Sequence, residues 1–255
     1  MEAGLNLYSL HKLIKEPEEY REVCRKVKEM GYSYAQYSGR PLEPELIRSV
    51  QEETGLTIVL THVPIERILD DTQKLMEDHA VFGCRNIGLG GIPKAVLLDE
   101  VKCKETMAAL NEAGRVMAEN GFKFFYHNHN NEFYKLSSGQ CIMDYMIENC
   151  PYINFTADTY WIQYGGGDVR AYLEKMDGRI GCIHLKDYRT VIGEDNRFRP
   201  QFAPVGEGNL DFTAIVPVAK ASGTEYFLVE QDDAGDYEDP MAQVRSSIDY
   251  IRGKL

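Results

Sequence analysis

Short apolar runs alternate along the chain with longer stretches in which apolar residues recur at helical spacing. In the stretch 17–30 the apolar side chains fall at positions i, i+3, i+4, i+7 and i+10 of one helix face: Tyr20, Val23, Cys24, Val27 and Met30. Three further stretches have this spacing, at Glu66–Phe82, Val101–Asn120 and Gly139–Asn149. The short runs predict eight β-strands, at Ala3–Tyr8, Tyr32–Tyr37, Thr57–Thr61, Asn86–Leu89, Phe122–His127, Ile153–Ala157, Ile180–Leu185 and Glu225–Glu230.

Glycine and proline mark the boundaries between these elements. Glycine follows the predicted helices at Met30-Gly31, Thr54-Gly55, Phe82-Gly83, Asn120-Gly121 and Asp177-Gly178. Asp239-Pro240 predicts the N-cap and first turn of a last helix that runs to Ile251. Strands that alternate with helices indicate a parallel sheet, and eight such units with nothing left over predict a closed (β/α)8 barrel. We therefore expect residues 1–255 to form a single α/β barrel domain.

Composition and charge narrow the range of partners. Among 255 residues, 28 are basic and 40 are acidic, a formal charge of −12. This balance argues against binding to a nucleic-acid backbone or an anionic membrane surface. No basic start followed by an apolar run predicts a signal peptide, and no stretch is long and apolar enough for a membrane helix. The six cysteines form no CxxC pair, which favours reduced thiols and a cytoplasmic location.

In a parallel barrel the chemistry is expected at the carboxyl ends of the strands. Four of the six histidines fall at such ends, beginning with His62 on the third predicted strand. The other ionisable strand ends are Tyr126-His127-Asn128-His129 with Glu132 close behind, Asp158-Thr159-Tyr160-Trp161, His184-Leu185-Lys186-Asp187 and Glu230-Gln231-Asp232-Asp233. Taken singly, each has an ordinary structural interpretation, such as a hydrogen-bonded histidine or a helix-capping aspartate. Together they predict a divalent metal site, for Mn²⁺, Co²⁺, Mg²⁺, Fe²⁺ or Zn²⁺.

These strand-end motifs resemble those of the xylose isomerase-like superfamily, specifically its sugar phosphate isomerase/epimerase group. The resemblance spans essentially the whole chain and includes Pro204-Val205-Gly206-Glu207-Gly208 before Asp211-Phe212, and Val229-Glu230. It implies a (β/α)8 TIM barrel with one divalent cation, held by residues of strands five to eight: Glu132, Asp158, His184 and Glu230. The ligand from strand five stays open. Many epimerases have a glutamate at the strand end itself, where this chain has His127. In dehydratase relatives of inositol catabolism a glutamate follows a histidine-rich strand end, so Glu132 is the expected ligand, and His127 or His129 is the alternative.

The resemblance also implies a reaction. The metal would polarise a substrate carbonyl while a base removes the proton from the neighbouring carbon, giving a metal-stabilised enediolate. Glu230 is the expected catalytic group on one substrate face, with His127 or Glu132 on the other. Expected substrate contacts are Tyr8, His62, His129, Trp161 and Lys186. The glycines of Gly206-Glu207-Gly208 either close one edge of the pocket or form a plain turn.

Four functions are compatible with these residues. The first expectation is a sugar or keto-sugar isomerase or epimerase, and the alternative is a lyase or dehydratase acting on a keto-sugar, inosose or 3-keto-glycoside. A DNA-repair endonuclease of the same superfamily is disfavoured by the net charge and the small number of strand-end histidines. A catalytically silent sugar-binding protein is the fourth. A small sugar is the expected partner, and the resemblance raises a homodimer as a further option.

Overall fold

The computed structural model describes residues 1–255 and contains a closed barrel of eight parallel strands. Each barrel strand pairs with the next one along the chain, and the first strand closes the ring by pairing with both the second and the last. Two further strands pair antiparallel as a separate hairpin. The strands are β1 Gly4–Asn6, β2 Tyr34–Tyr37, β3 Thr57–His62, β4 Asn86–Leu89, β5 Lys123–His127, β6 Asn154–Asp158, β7 Cys182–Leu185, β8 Asp187–Ile192, β9 Phe198–Ala203 and β10 Tyr226–Val229. The predicted (β/α)8 barrel is confirmed.

Helices follow the barrel strands. They are α1 Pro17–Met30, α2 Pro44–Thr54, α3 Ile65–Asp70, α4 Thr72–Val81, α5 Lys94–Leu97, α6 Glu100–Glu119, α7 Ile142–Asn149, α8 Thr159–Tyr164, α9 Val169–Lys175, α10 Phe212–Ala221 and α11 Pro240–Lys254. Short 3-10 turns lie at Leu7–Leu13, Asn130–Phe133 and Ala234–Asp236. None of the helices is long and apolar enough to cross a membrane.

Helix α1 shows why the sequence pattern fixes its ends. Pro17 occupies the first helical position, and Glu16 and Glu19 form a capping box around it. Gly31 then ends the helix with a left-handed φ of +100°, a conformation that glycine adopts without steric cost. The predicted single helix over Glu66–Phe82 is wrong, because Asp71, with φ −143°, interrupts it between α3 and α4.

The interior of the barrel has two layers. An apolar cluster, separate from the main core between strands and helices, fills the lower layer: Tyr34, Val59, Leu60, Phe125, Cys182 and Leu228. Gly4 leaves room for the Tyr34 ring, and a Cβ on Gly181 would lie 2.6 Å from the Phe125 ring. Because strand side chains alternate with a period of two, the residues two positions further along point into the barrel above this layer. The upper layer is therefore the wall of the candidate site.

The sequence analysis missed the β8–β9 hairpin. Its strands include Arg189, Arg199 and Pro200, and they lack the apolar runs that identify the barrel strands. Asp187 pairs with Ala203 at its base and Ile192 pairs with Phe198 at its tip. The hairpin leaves the barrel directly after β7, so it brings Phe202 next to the residues at the carboxyl end of that strand.

Candidate active site

Four buried side chains meet at the carboxyl end of the barrel and could together hold a metal ion. His127 ends β5, Asp158 ends β6, His184 lies on β7 and Glu230 follows β10. One potential ligand atom from each of them lies within 4.8 Å of the others. The structure thus brings together three of the four residues expected as metal ligands and adds His127, which the sequence analysis kept as the alternative for strand five.

Asp158 shows how the fold aims a side chain at this cluster. Its Oδ1 accepts a hydrogen bond from the backbone N–H of Trp161 at 2.9 Å and so caps α8. Its Oδ2 remains free to face the cluster, 3.3 Å from His127 Nε2 and 3.8 Å from His184 Nδ1. One carboxylate therefore serves both roles that sequence reasoning treated as alternatives, the helix cap and the cluster member.

The hydrogen bonds of His184 test whether the cluster suits a cation. Its Nε2 lies 2.7 Å from Gln36 Oε1, an acceptor, so Nε2 carries the proton and Nδ1 presents a lone pair. Nδ1 is buried without a hydrogen-bond partner and lies 2.9 Å from Glu230 Oε2. A lone pair that faces carboxylates requires positive charge between them, either a proton on Nδ1 or a metal ion.

His127 is oriented in a similar way. Its Nδ1 lies 3.3 Å from the carbonyl oxygen of Gly90, which leaves Nε2 to face Asp158. In metal sites, histidine ligands commonly donate their other ring N–H to a carbonyl or carboxylate. Two imidazoles and two carboxylates are a mixed nitrogen and oxygen set that fits a divalent transition metal.

The pKa values of these groups reflect the same demand for positive charge. Burial alone would lower the pKa of His184, but Glu230 and Asp158 outweigh it and raise the pKa to about 9. Burial opposes ionisation of Asp158, yet Lys186 and the two imidazoles lower its pKa to about 2. The pKa of Glu230 falls well below its usual range because His184 and Lys186 outweigh the cost of burial.

The structure places Glu132 outside the cluster. Its carboxylate is buried, where Oε1 accepts from the Tyr126 hydroxyl at 2.7 Å and Oε2 accepts from the His129 backbone N–H at 2.7 Å. Both oxygens are thus engaged in holding the turn that follows β5. The expectation that Glu132 joins Asp158, His184 and Glu230 as metal ligand and catalytic group does not fit this arrangement, because His127 occupies the strand-five position.

Lys186 lies at the edge of the cluster. Its side chain is 1% exposed, and its Nζ donates to Glu230 Oε2 at 3.2 Å and to both oxygens of Asp232, at 2.8 and 2.7 Å. Burial would lower the pKa of Lys186, but the carboxylates of Glu230, Asp158 and Asp232 raise it. Burial and the nearby Glu230 raise the pKa of Asp232 to about 6.

A cavity of about 340 Å³ opens onto these groups. Tyr8, His62, His129 and Lys186, which were expected to contact substrate, line it together with His127 and Glu230. Its remaining lining residues are Ser38, Gly39, Gly90 and Asp232.

Two of the three histidines that line the cavity, His62 and His129, have lowered pKa values. Burial, followed by the neighbouring imidazoles, lowers the pKa of His62 well below its usual range and that of His129 to about 3. His62 Nε2 is buried and has no partner within the protein. The wall therefore offers hydrogen-bonding groups to a polar ligand.

Trp161 and the glycine loop Gly206-Glu207-Gly208 do not line the cavity; for the loop, the plain turn is the option that the structure has. The ring centroid of Trp161 lies 5.3 Å from that of His129 and 5.2 Å from Lys186 Nζ. The backbone N–H groups of Gly206 and Gly208 donate to Asp187 Oδ2, each at 3.0 Å. The loop is therefore a turn built around Asp187, and it does not line the cavity.

Three residues that contact the site were given no role in it by the sequence analysis: Asn6, Gln36 and Asp232. Asn6 Nδ2 donates to Glu230 Oε1 at 2.5 Å, and Gln36 fixes His184 as described above. A buried polar residue at the end of a short apolar strand was the available signal for the first two. Their partners lie at the other end of the chain, and only closure of the barrel makes them neighbours.

The fold is shared with known proteins. The chain is 28% identical over 170 residues to a protein named inosose dehydratase from Clostridium perfringens, a match covering 62% of this chain and 57% of that protein. The chain thus spans little more than half of the length of that relative. A solved sugar phosphate isomerase/epimerase from Parabacteroides distasonis has a TM-score of 0.77 and 28% identity, covering 98% of this chain and 97% of that one.

A more distant structure shares the fold alone. A xylose isomerase-like TIM barrel protein from Mycobacterium smegmatis in complex with magnesium has a TM-score of 0.71 and 14% identity, covering 98% of this chain and 94% of that one. The model of a family described as xylose isomerase-like TIM barrel matches residues 24–254, which is most of the chain. With eight parallel strands in a closed barrel and ionisable groups at their carboxyl ends, this chain belongs to the xylose isomerase-like TIM barrel family.

Proposed function

We propose that this chain is a divalent-metal-dependent enzyme that removes a proton beside the carbonyl of a sugar-like hydroxyketone and then eliminates water. The observation that carries the proposal is the buried cluster of His127, Asp158, His184 and Glu230 beneath a polar cavity. These four residues would hold the ion. A bound divalent ion polarises a substrate carbonyl and stabilises the negative charge that develops on its oxygen.

The residues of the chain supply proton transfer and orientation. Glu230, whose pKa is held well below its usual range by His184 and Lys186, supplies the carboxylate that removes the carbon-bound proton. Lys186 Nζ donates a proton to the departing hydroxyl and recovers one from Glu230 across their 3.2 Å contact, so the substrate loses one water in all. His62, through its unpartnered Nε2, binds a substrate hydroxyl.

Elimination is favoured over epimerisation by what faces Glu230. Epimerisation requires acid and base groups on both faces of the substrate, as a glutamate pair would provide. Here both carboxylates of the cavity wall, Glu230 and Asp232, come from the segment after β10, and the wall contributed by β3 and β5 carries His62, His127 and His129. The similarity to proteins named inosose dehydratase supports the same choice.

An isomerase or epimerase of sugars is the second candidate. The Parabacteroides structure, which matches nearly the whole chain at 28% identity, supports it. Both candidates share the first proton transfer, so they differ only in whether a hydroxyl then leaves.

The first experiment measures metal content by elemental analysis for the wild type and Glu230→Gln. We expect about one divalent ion per chain in the wild type, from the single four-ligand cluster, and weaker retention in the variant. Wild-type protein that stays metal-free after incubation with Mn²⁺, Co²⁺ and Zn²⁺ would overturn the proposal.

The second experiment separates the two candidates. The metal-loaded enzyme is incubated in D₂O with inososes, keto-sugars and 3-keto-glycosides, and each mixture is followed by NMR and mass spectrometry. A product lighter by one water supports the dehydratase. Deuterium uptake with retention of every hydroxyl supports the epimerase or isomerase instead. Absence of exchange across the whole panel argues against both.

A further inference from the structure

The candidate metal cluster has an internal cation beside it. Lys186 Nζ lies 3.2 Å from Glu230 Oε2 and 3.7 Å from Asp158 Oδ2, which are the two carboxylates proposed to hold the ion. The same ammonium group lies 2.7 Å from Asp232 Oδ2. An ammonium group and a divalent ion therefore compete for the same two carboxylates, and the ammonium group also contacts a third carboxylate, that of Asp232.

The protein holds Lys186 firmly in this place. The Thr159 hydroxyl lies within hydrogen-bond distance of both its backbone N–H and its backbone carbonyl oxygen, at 3.0 and 2.9 Å. The rings of Trp161 and Phe202 flank the ammonium group, with Nζ 5.2 and 5.0 Å from their centroids. With the side chain 1% exposed, the Lys186 ammonium group is buried and has the carboxylates of Glu230 and Asp232 as its hydrogen-bond partners.

The charges balance only when Asp232 is included. Asp158, Glu230 and Asp232 carry three negative charges and Lys186 carries one positive charge, a sum of −2 that one divalent cation neutralises. Without Asp232 the sum is −1, and a bound divalent ion would leave an uncompensated positive charge in a buried site. Uncompensated buried charge is strongly unfavourable, so this difference should appear directly in metal affinity.

We propose that Asp232 is a positioning residue that holds the Lys186 ammonium group beside the cluster rather than within it, and thereby sets the affinity of the site for a divalent cation. This inference rests on the proposed metal site. It assigns to Asp232, and to the salt bridge that it forms, a role in metal binding that precedes any contact with substrate. The relevant ligand is the metal ion alone.

The test measures metal affinity without substrate. Full-length protein is stripped with a chelator, and Mn²⁺ and Zn²⁺ are titrated against a chromophoric competitor for the wild type, Asp232→Asn, Lys186→Met and the double variant. We expect Asp232→Asn to bind the metal ion at least about tenfold more weakly than the wild type, because the Lys186 ammonium group then stays against Glu230. Lys186→Met should bind more tightly than the wild type. The double variant restores the charge sum of −2 and should return to within about threefold of the wild type.

A matched control removes the neighbouring charge. Asp233 donates no oxygen to the cluster; its Oδ1 accepts from the Gln231 side chain at 2.9 Å. Asp233→Asn should therefore leave metal affinity within about threefold of the wild type, because its carboxylate bonds to Gln231 and not to Lys186 or the cluster. Circular dichroism and thermal unfolding of each metal-free variant show whether its fold is retained. A misfolded single variant is replaced by Asp232→Ser or Lys186→Leu, which make the same charge changes.

The outcomes separate this inference from the proposed function. Wild-type protein that binds metal while Asp232→Asn binds it equally well overturns the role of Asp232 alone. Weaker binding in both single variants also overturns it, since that result would indicate structural damage rather than charge balance. Wild-type protein that binds no metal overturns the proposed function together with this inference.

Discussion

The two layers inside the barrel come from the same strands, but the lower layer is apolar and the upper layer is ionisable. On β5, Phe125 belongs to the lower layer, and His127, two residues later, belongs to the upper one. Cys182 and His184 are related in the same way on β7. The period of two places both members of each pair in the interior. Each of these strands thus places an apolar side chain and then an ionisable side chain at successive inward-facing positions.

The difference between the layers lies in how completely their atoms are satisfied. The lower layer consists of side chains that pack against one another, which is the usual way to fill a barrel interior. The upper layer leaves polar atoms without partners, among them His184 Nδ1 and His62 Nε2. Buried polar atoms without partners reduce stability, so natural proteins concentrate them where a ligand will bind. The lower layer supports the fold, and the upper layer carries the candidate site.

The largest effect is expected from damage to the lower layer. Phe125 is 1% exposed, and truncation to alanine leaves a cavity that costs about 3–5 kcal/mol of unfolding free energy. Urea unfolding of Phe125→Ala measures this loss. At low temperature the folded fraction should still bind Mn²⁺ with an affinity near that of the wild type. Equal damage to metal affinity and stability would show that the two layers do not act separately.

The next effect concerns the upper layer of the same strand. His127→Ala should weaken metal binding by more than about 100-fold, because loss of an outer partner alone commonly costs 10–100-fold. The unfolding free energy of the metal-free protein should change less than in Phe125→Ala. Competition with a chelator measures the first quantity and urea unfolding the second.

Glu132→Gln is the matched comparison for His127→Ala. Its carboxylate bonds to Tyr126 and His129 rather than to the cluster, so the variant should keep its metal. If Glu132→Gln lost metal while His127→Ala retained it, Glu132 would be the strand-five ligand after all.

The sequence sufficed to predict the barrel and part of the candidate site, but not all of the residues that form the site. Alternating strands and helices predicted the barrel, which the structure confirms. The strand ends predicted Asp158, His184 and Glu230 as metal ligands, and these three side chains lie together in the buried cluster. The choice between His127 and Glu132 could not be made. Glu132 lies beyond the strand in a 3-10 turn, where strand periodicity no longer says which way a side chain points.

Contacts between residues on distant strands also could not be predicted from the sequence. Gln36 meets His184 across 148 positions of sequence, and no spacing rule connects them. Phe202 reaches Lys186 only because the β8–β9 hairpin folds back over the site, and the polar strands of that hairpin gave no apolar pattern. Local periodicity predicts elements, whereas these contacts depend on how the elements close.

A histidine outside the two layers gives a smaller, pH-dependent effect. His79 bonds to the Thr61 hydroxyl at 2.8 Å and to the Leu75 carbonyl at 2.7 Å, and burial lowers its pKa to about 4. The unfolded chain, with a pKa near 6.5, therefore binds more protons at acidic pH. The contribution of neutral His79 to the unfolding free energy is fully present above pH 6.5 and is lost as the pH drops toward 4. Between pH 7 and pH 5 this loss amounts to about 2 kcal/mol.

Comparison of the wild type with a variant that lacks the imidazole isolates the pH-dependent contribution of His79 to stability. His79→Gln cannot take up the proton, so its unfolding free energy should fall less between pH 7 and pH 5 than that of the wild type. Urea unfolding at the two pH values measures the difference. Parallel pH profiles for the two proteins would contradict the assignment of His79 as a neutral core histidine.

The smallest effect is expected from a residue that never touches the ion. Gln36 Oε1 accepts the Nε2 proton of His184 and so turns Nδ1 toward the cluster, while its own Nε2 donates to Ser38 Oγ at 2.9 Å. Gln36→Ala frees the imidazole to rotate or to change tautomer, and metal affinity should fall about tenfold. Ser38→Ala removes only the outer contact and should have a smaller effect. Because Gln36 and His184 lie on β2 and β7, a clear loss in Gln36→Ala would show that the upper layer acts as one unit around the barrel; affinity equal to the wild type would mean that His184 is oriented by its own strand alone.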